Sequence, residues 1–344
     1  MNIAQNVVDR AIHHVMELCR LPSPTGFTAL AEGYVEQALQ AAGLKSERTV
    51  KRSVLVDLGG EGRPLVMAAH IDTLGLMVRS IKSNGRLRYA KIGGFPDFLA
   101  LTENVTIHAR DGRRYSGTLQ PTDASVHVNA KLAEQKLDDE HCEIVIDEKV
   151  SKKDHVRELG IAPGDFVSLD PRTVLTESGY LKSRHLDDKA SAGVLLALAE
   201  AVAAGELKLA RKVWLLFTTY EEVGHGGAVI PEGAVEILSV DMGAVGDDLS
   251  CTDRQVSICA KDSGGPYDRD VTQALIEAAG RAGCDFAVDV YPRYSSDANV
   301  SLAAGHDVRH GLVGPGVYAS HGYERTHSDA IANTMALLFE YAGH

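Results

Sequence analysis

Lys212-Val213-Trp214-Leu215-Leu216-Phe217-Thr218-Thr219-Tyr220-Glu221-Glu222-Val223-Gly224 carries an almost unbroken apolar run into two acids and a glycine. Such a run predicts a strand buried on both faces, the habit of a central strand in a parallel sheet covered by helices. Residues 53–58 and 64–70 before it, and 236–241, 256–260 and 286–290 after it, also read as strands. Helical periods cover residues 3–19, 29–42, 188–204, 270–282 and 330–341. Pro22 and Pro24 must break the first of these, and Gly43 stops the second. Alternating strands and helices predict an α/β fold, a covered sheet between helical layers.

Residues 74–176 differ. Asn84-Gly85 and Asp111-Gly112 each sit between strand-like runs, a strong hairpin signal. Short β-rich runs continue to Pro163-Gly164-Asp165-Phe166-Val167-Ser168-Leu169. The expectation is a larger domain made of residues 1–73 and 177–344, with a smaller β-rich domain, residues 74–176, inserted into it.

With 344 residues, 44% hydrophobic and 24% charged, the chain has material for a sizeable core and is neither disordered nor a disulfide-dense miniature. A formal net charge of −12 argues against a phosphate backbone or an anionic lipid surface as partner. No run approaches the roughly eighteen apolar residues of a membrane span. Asp9, His13, His14 and Glu17 interrupt the apolar pattern where a secretory signal would need a continuous block. Five cysteines without a close pair suit a reducing, cytoplasmic location.

Open α/β sheets gather their sites at the carboxyl ends of strands, and the same residue types recur there. Residues 64–69 lead into His70-Ile71-Asp72; residues two apart in extended backbone share a face, so Asp72 is placed to hold the other nitrogen of a metal-bound His70. Asp187-Asp188 precede a helix, where they also suit a cap. Glu221-Glu222 follow the most apolar strand. Adjacent carboxylates there point differently, so that one can ligate while the other faces a bound water. Asp241 ends an apolar run, and His321 lies in Ser320-His321-Gly322. Imidazole and carboxylate without cysteine suit zinc, cobalt or manganese. Two such cations sharing a carboxylate suit hydrolysis: they polarise a carbonyl and acidify a bridging water, whose proton a spare carboxylate carries to the leaving amine.

The ordered set Ala69-His70-Ile71-Asp72, Leu186-Asp187-Asp188-Lys189, Glu221-Glu222-Val223-Gly224, Val240-Asp241-Met242 and Ser320-His321-Gly322 resembles the tetrahedral (TET-type) dinuclear metallo-aminopeptidases, which include glutamyl, leucyl and deblocking enzymes. The resemblance runs from Leu21-Pro22-Ser23-Pro24-Thr25-Gly26 to the last helix and covers Leu159-Gly160-Ile161-Ala162-Pro163-Gly164-Asp165. It implies that His70 and Asp241 bind one metal, Glu222 and His321 the other, and that Asp187 bridges them. It implies Glu221 as general base and Asp72 as the residue that orients His70. It further implies a three-layer α/β/α zinc-peptidase core with a PDZ-like or barrel insert that makes subunit contacts. Two divalent ions per subunit (zinc, cobalt or manganese), dodecameric tetrahedra of dimers, and short peptides as substrates follow from the same likeness.

The sequence departs from the family at Thr73, where glutamate is frequent, at Lys189, where arginine is commoner, and at His225, which has no assignment. The run Glu177-Ser178-Gly179-Tyr180-Leu181-Lys182-Ser183-Arg184 through Ala190 is similar to a branch associated with the osmoprotectant N-acetylglutaminylglutamine amide. A dinuclear amidohydrolase acting on an N-acylated amino acid or capped dipeptide is therefore the alternative to an aminopeptidase. A non-enzymatic binding protein is disfavoured because no ligand or base is missing. His13 and His14 read as helix-surface residues, and Ser296 or Asp297 as a helix cap.

Overall fold

The computed structural model describes residues 4–343. Residues 1–3 and 344, the outer limits of the expected larger domain and the expected start of the first helix at Ile3, lie outside the described residues. The chain forms two compact units: one runs to Asp72 and resumes at Arg172, and the other is Thr73–Pro171.

The first unit is α/β. Its sheet is ordered Ser46–Arg48, Val54–Gly59, Val213–Thr218, Leu65–His70, Glu236–Val240, Arg309–Tyr318, Glu324–His327, Tyr180–Ser183, Val174–Leu175. The four central strands, from Val213–Thr218 to Arg309–Tyr318, are mutually parallel and so present their carboxyl ends together. Val256–Asp262 pairs antiparallel with Arg309–Tyr318 and carries Phe286–Val290 on its other edge.

Every residue of Leu65–His70 is buried, because alternate side chains enter different cores. Leu65, Met67 and Ala69 pack with the helices Gln5–Arg20, Leu186–Ala203, Arg269–Ala282 and Ser328–Gly343, while Val66 and Ala68 join Leu216, Ile237 and Leu312 on the opposite face. The first helix stops at Arg20, before Pro22 and Pro24. Among the described residues no helix is long and apolar enough to cross a membrane.

Two expected details change. His14 is not on the surface; it is buried, with Tyr34 OH and Glu200 at 2.9 Å from its ring nitrogens. The partners come from other helices, which a single-helix pattern cannot reveal. Ser296 stands at the N-cap position of the helix Asp297–Ala303, but its side chain makes no capping hydrogen bond. Ser296 instead pairs with Tyr267 OH at 2.9 Å.

The second unit is a closed six-stranded barrel, in the order Gly75–Ile81, Leu87–Ile92, Cys142–Ile146, Arg114–Pro121, Asn104–His108, Phe166–Leu169. The Asn84-Gly85 and Asp111-Gly112 turns join antiparallel neighbours, each glycine at positive φ. Its core, built on Leu76, Leu87, Tyr89, Ile107, Leu119, Ile144 and Val167, is separate from those of the first unit.

Candidate metal centre

Three of the four parallel strands end in a proposed ligand or lead straight to one, and the fourth leads to His321. His70 is the last residue of its strand, Glu221 and Glu222 form a short 3-10 turn after Val213–Thr218, Asp241 follows Glu236–Val240, and His321 lies in the turn after Arg309–Tyr318. Asp187 comes from elsewhere, at the start of Leu186–Ala203, where Asp187 and Asp188 are not helical. They therefore do not act as ordinary first-turn acids.

Asp187 places Oδ1 3.0 Å from His70 Nε2 and Oδ2 3.3 Å from His321 Nε2. Glu222 Oε2 lies 3.8 Å from His321 Nε2, and Glu221 Oε2 lies 3.7 Å from His70 Nε2. The ligand atoms of Asp187, Glu222 and His321 all fall within 4.8 Å of one another, as do those of His70, Asp188 and Asp241. Asp188 is the addition: the sequence offers it as a helix cap, whereas here its Oδ2 accepts the backbone N–H of His70 at 3.2 Å.

His70 Nδ1 lies 2.9 Å from the backbone carbonyl of Asp72. A carbonyl only accepts, so Nδ1 carries a hydrogen, and Nε2, which faces Asp187, is the nitrogen that a cation would take in place of its proton. The Asp72 carboxylate is farther from Nδ1, at 3.6 Å, and is engaged with other groups. It accepts from Thr25 Oγ1 at 2.7 Å, from Glu221 N at 3.2 Å and from Glu222 N at 3.4 Å. Asp72 thus holds His70 through its backbone and the paired glutamates through its side chain. The two glutamates differ in access: the Glu221 side chain is 15% exposed and the Glu222 side chain 4%.

Three further residues support this arrangement without any local sequence signal. Asp297 accepts from Thr218 Oγ1 at 2.5 Å and from Gly227 N at 2.7 Å, pinning both ends of the glutamate loop. A Cβ on Gly227 would lie 2.3 Å from the Asp297 carbonyl oxygen, so only glycine lets the loop pass. Tyr294 OH donates to the carbonyl of Met242, next to Asp241, at 2.8 Å. Glu324 accepts the N–H groups of both Asp187 and His321. His225 stacks on Tyr220, ring centroids 5.1 Å apart, and its Nδ1 meets the Lys51 ammonium, which lies 4.1 Å over the Tyr220 ring.

Electrostatics make this cluster a candidate for cations. Burial, then the charge of Asp187, pushes Glu222 up to about 8 and Asp241 up to about 7. Burial also drives Glu221 and Asp188 well above the ordinary carboxylate range. Asp187 is the exception: hydrogen bonds from His321 and His70 overcome burial and hold it below that range. So many desolvated carboxylates must either bind protons or enclose cations. Asp188 Oδ1 is buried with no hydrogen-bond partner, an orphaned acceptor that a cation would satisfy. Oxygen and imidazole donors without thiolate fit two hard or borderline divalent ions.

A family model for M42 glutamyl aminopeptidases matches residues 53–337. The YhfE protein of Bacillus subtilis (strain 168) is 40% identical over 337 residues, covering 97% of each chain. The glutamyl aminopeptidase of Lactococcus lactis subsp. cremoris is 26% identical over 63% of this chain and 61% of its own. Aminopeptidase APDkam598 from the archaeon Desulfurococcus kamchatkensis has a similar fold, with a TM-score of 0.87 at 22% identity over 98% of this chain and 95% of its own. The Pyrococcus horikoshii TET1 peptidase, described as able to assemble into a tetrahedron or a large octahedral shell, aligns with a TM-score of 0.84 at 22% identity over 96% of this chain and 99% of its own.

Proposed function

Because the chain belongs to the M42 glutamyl aminopeptidase family, and is accordingly a metal-dependent aminopeptidase, we propose that it releases the N-terminal residue of short peptides at a centre of two divalent cations, with Glu221 as proton carrier. His70, Asp241 and one oxygen of Asp187 would hold one ion, and Glu222, His321 and the other oxygen of Asp187 the second. Zinc or cobalt suits this ligand set best, and manganese also fits. When bound, the ions supply electrophilic activation of the scissile carbonyl and of the attacking water.

The observation that carries the reading is the Asp187 carboxylate, with one oxygen toward each histidine at 3.0 and 3.3 Å. Glu221, the more exposed of the paired glutamates, takes a proton from the attacking water. It delivers that proton to the amide nitrogen as the C–N bond breaks, releasing a free amine and a carboxylate. Asp72 fixes the Glu221 backbone and keeps His70 in the tautomer that leaves Nε2 available.

The test loads the protein with cobalt or zinc and compares one amide substrate carrying a free α-amine with its N-acetylated counterpart. Cleavage of the free amine alone supports an aminopeptidase. Cleavage of the blocked compound alone overturns that reading in favour of the capped-dipeptide amidohydrolase.

Assembly belongs to the same proposal. The barrel Thr73–Pro171 would make the subunit contacts of a homo-oligomer, dimers building a tetrahedral dodecamer, by analogy with the shell-forming relative. Light scattering across a range of concentrations tests it. The five cysteines are all unpaired, which supports a cytoplasmic location.

A further inference from the structure

We infer that Glu324 is a positioning residue for the two-cation centre, its one carboxylate tying Asp187 to His321 and so fixing the second ion site. The inference rests on the proposed ligand roles of those two residues. Glu324 opens the strand Glu324–His327 and is 2% exposed. It lies opposite Ser183 in the antiparallel pair with Tyr180–Ser183, which brings its side chain to the turn that follows Ser183. There Oε2 accepts the Asp187 N–H at 3.1 Å, while Oε1 accepts the His321 N–H at 2.9 Å.

Both backbones need an outside partner. Asp187 is non-helical at the head of its helix, with φ −75° and ψ 105°. His321 sits at φ 65° and Ala319 at φ 59°, left-handed conformations that a residue with a Cβ rarely adopts unless its surroundings hold it. Local geometry therefore selects neither the Asp187 nor the His321 direction. A single buried acceptor shared between the two N–H groups does, and it fixes the spacing between them.

The function of a supporting residue outside the ligand shell is read in metal affinity, where its loss typically costs about 10–100-fold. Asp187 would serve both sites and His321 only the second, so the larger cost falls on the second. The experiment titrates metal-stripped, full-length protein with cobalt, followed by calorimetry and by visible absorption. Wild type is expected to take two equivalents. Glu324→Ala is expected to weaken the second equivalent about 10–100-fold and the first by clearly less, with an altered absorption band for the second. Glu324→Gln keeps one acceptor oxygen and the same shape, and is expected to fall between the two; it carries the test if the alanine variant fails to fold. Wild-type affinity and spectrum for both equivalents in the variants overturn the inference, as does equal weakening of both. A wild-type protein that takes fewer than two equivalents instead overturns the two-cation reading beneath it.

Discussion

The Asp72 carboxylate accepts the backbone N–H of Glu221 at 3.2 Å, so the residue two beyond the end of one central strand sets the position of the acid that follows its neighbour. The same carboxylate takes Glu222 N and Thr25 Oγ1. Asp72→Ala leaves these donors buried without a partner, at about 1–3 kcal/mol for such a group. Turnover is expected to fall about 10–100-fold through displacement of the glutamate turn. Thermal melting and steady-state kinetics on the cobalt-loaded variant check both effects; wild-type turnover in Asp72→Ala would refute the positioning role.

Glu221→Gln separates proton transfer from metal binding. The amide keeps the shape but cannot take the water's proton, so kcat is expected to drop about 10²–10⁴-fold, the usual worth of a general base. Cobalt stoichiometry should stay at the wild-type value, since Glu221 is outside the proposed ligand set. Stripping metal from wild type with a chelator should abolish activity reversibly. A Glu221→Gln variant as active as wild type would remove this residue from the chemistry.

The parallel strands Leu65–His70 and Val213–Thr218 were legible because burial on both faces demands an unbroken apolar run, and the acids and imidazole then stand at its end. Arg309–Tyr318 was not legible, although it leads to His321. Gly311, Gly314, Pro315 and Gly316 erase its pattern. The cause is close approach: a Cβ on Gly314 would lie 1.9 Å from the Asp241 carbonyl oxygen, and one on Gly316 2.1 Å from that of Thr252. Asp188, Asp297 and Glu324 were missed or misread for another reason. Their partners His70, Thr218, Asp187 and His321 lie mostly far away in sequence, and spacing carries no signal of such pairs.

Gly314→Ala follows from that geometry. The new methyl collides with the Asp241 backbone rather than with a flexible side-chain end, so one of the two strands must shift. Overpacking of this kind costs about 1–3 kcal/mol. Because the displaced residue is Asp241, cobalt binding should weaken at the site shared with His70. A lower melting temperature of the metal-free protein together with weaker cobalt binding is the expected pair. A variant that melts and binds like wild type would mean that the strands part without moving Asp241.

His108 supplies a pH prediction remote from the metals. It closes the barrel strand Asn104–His108, is buried, and has its Nε2 2.8 Å from Ser168 Oγ. Burial, helped by the charge of Arg114, lowers it to about 4. In the unfolded chain the imidazole titrates near about 6.5. Between those values the unfolded state binds the extra proton, so the stability present above pH of about 6.5 is lost as the pH falls toward 4. His108→Gln retains a polar partner for Ser168 but cannot titrate. The melting temperature of wild type is expected to fall more steeply than that of the variant between pH 6.5 and 4, whereas parallel curves would show that His108 is not the group responsible.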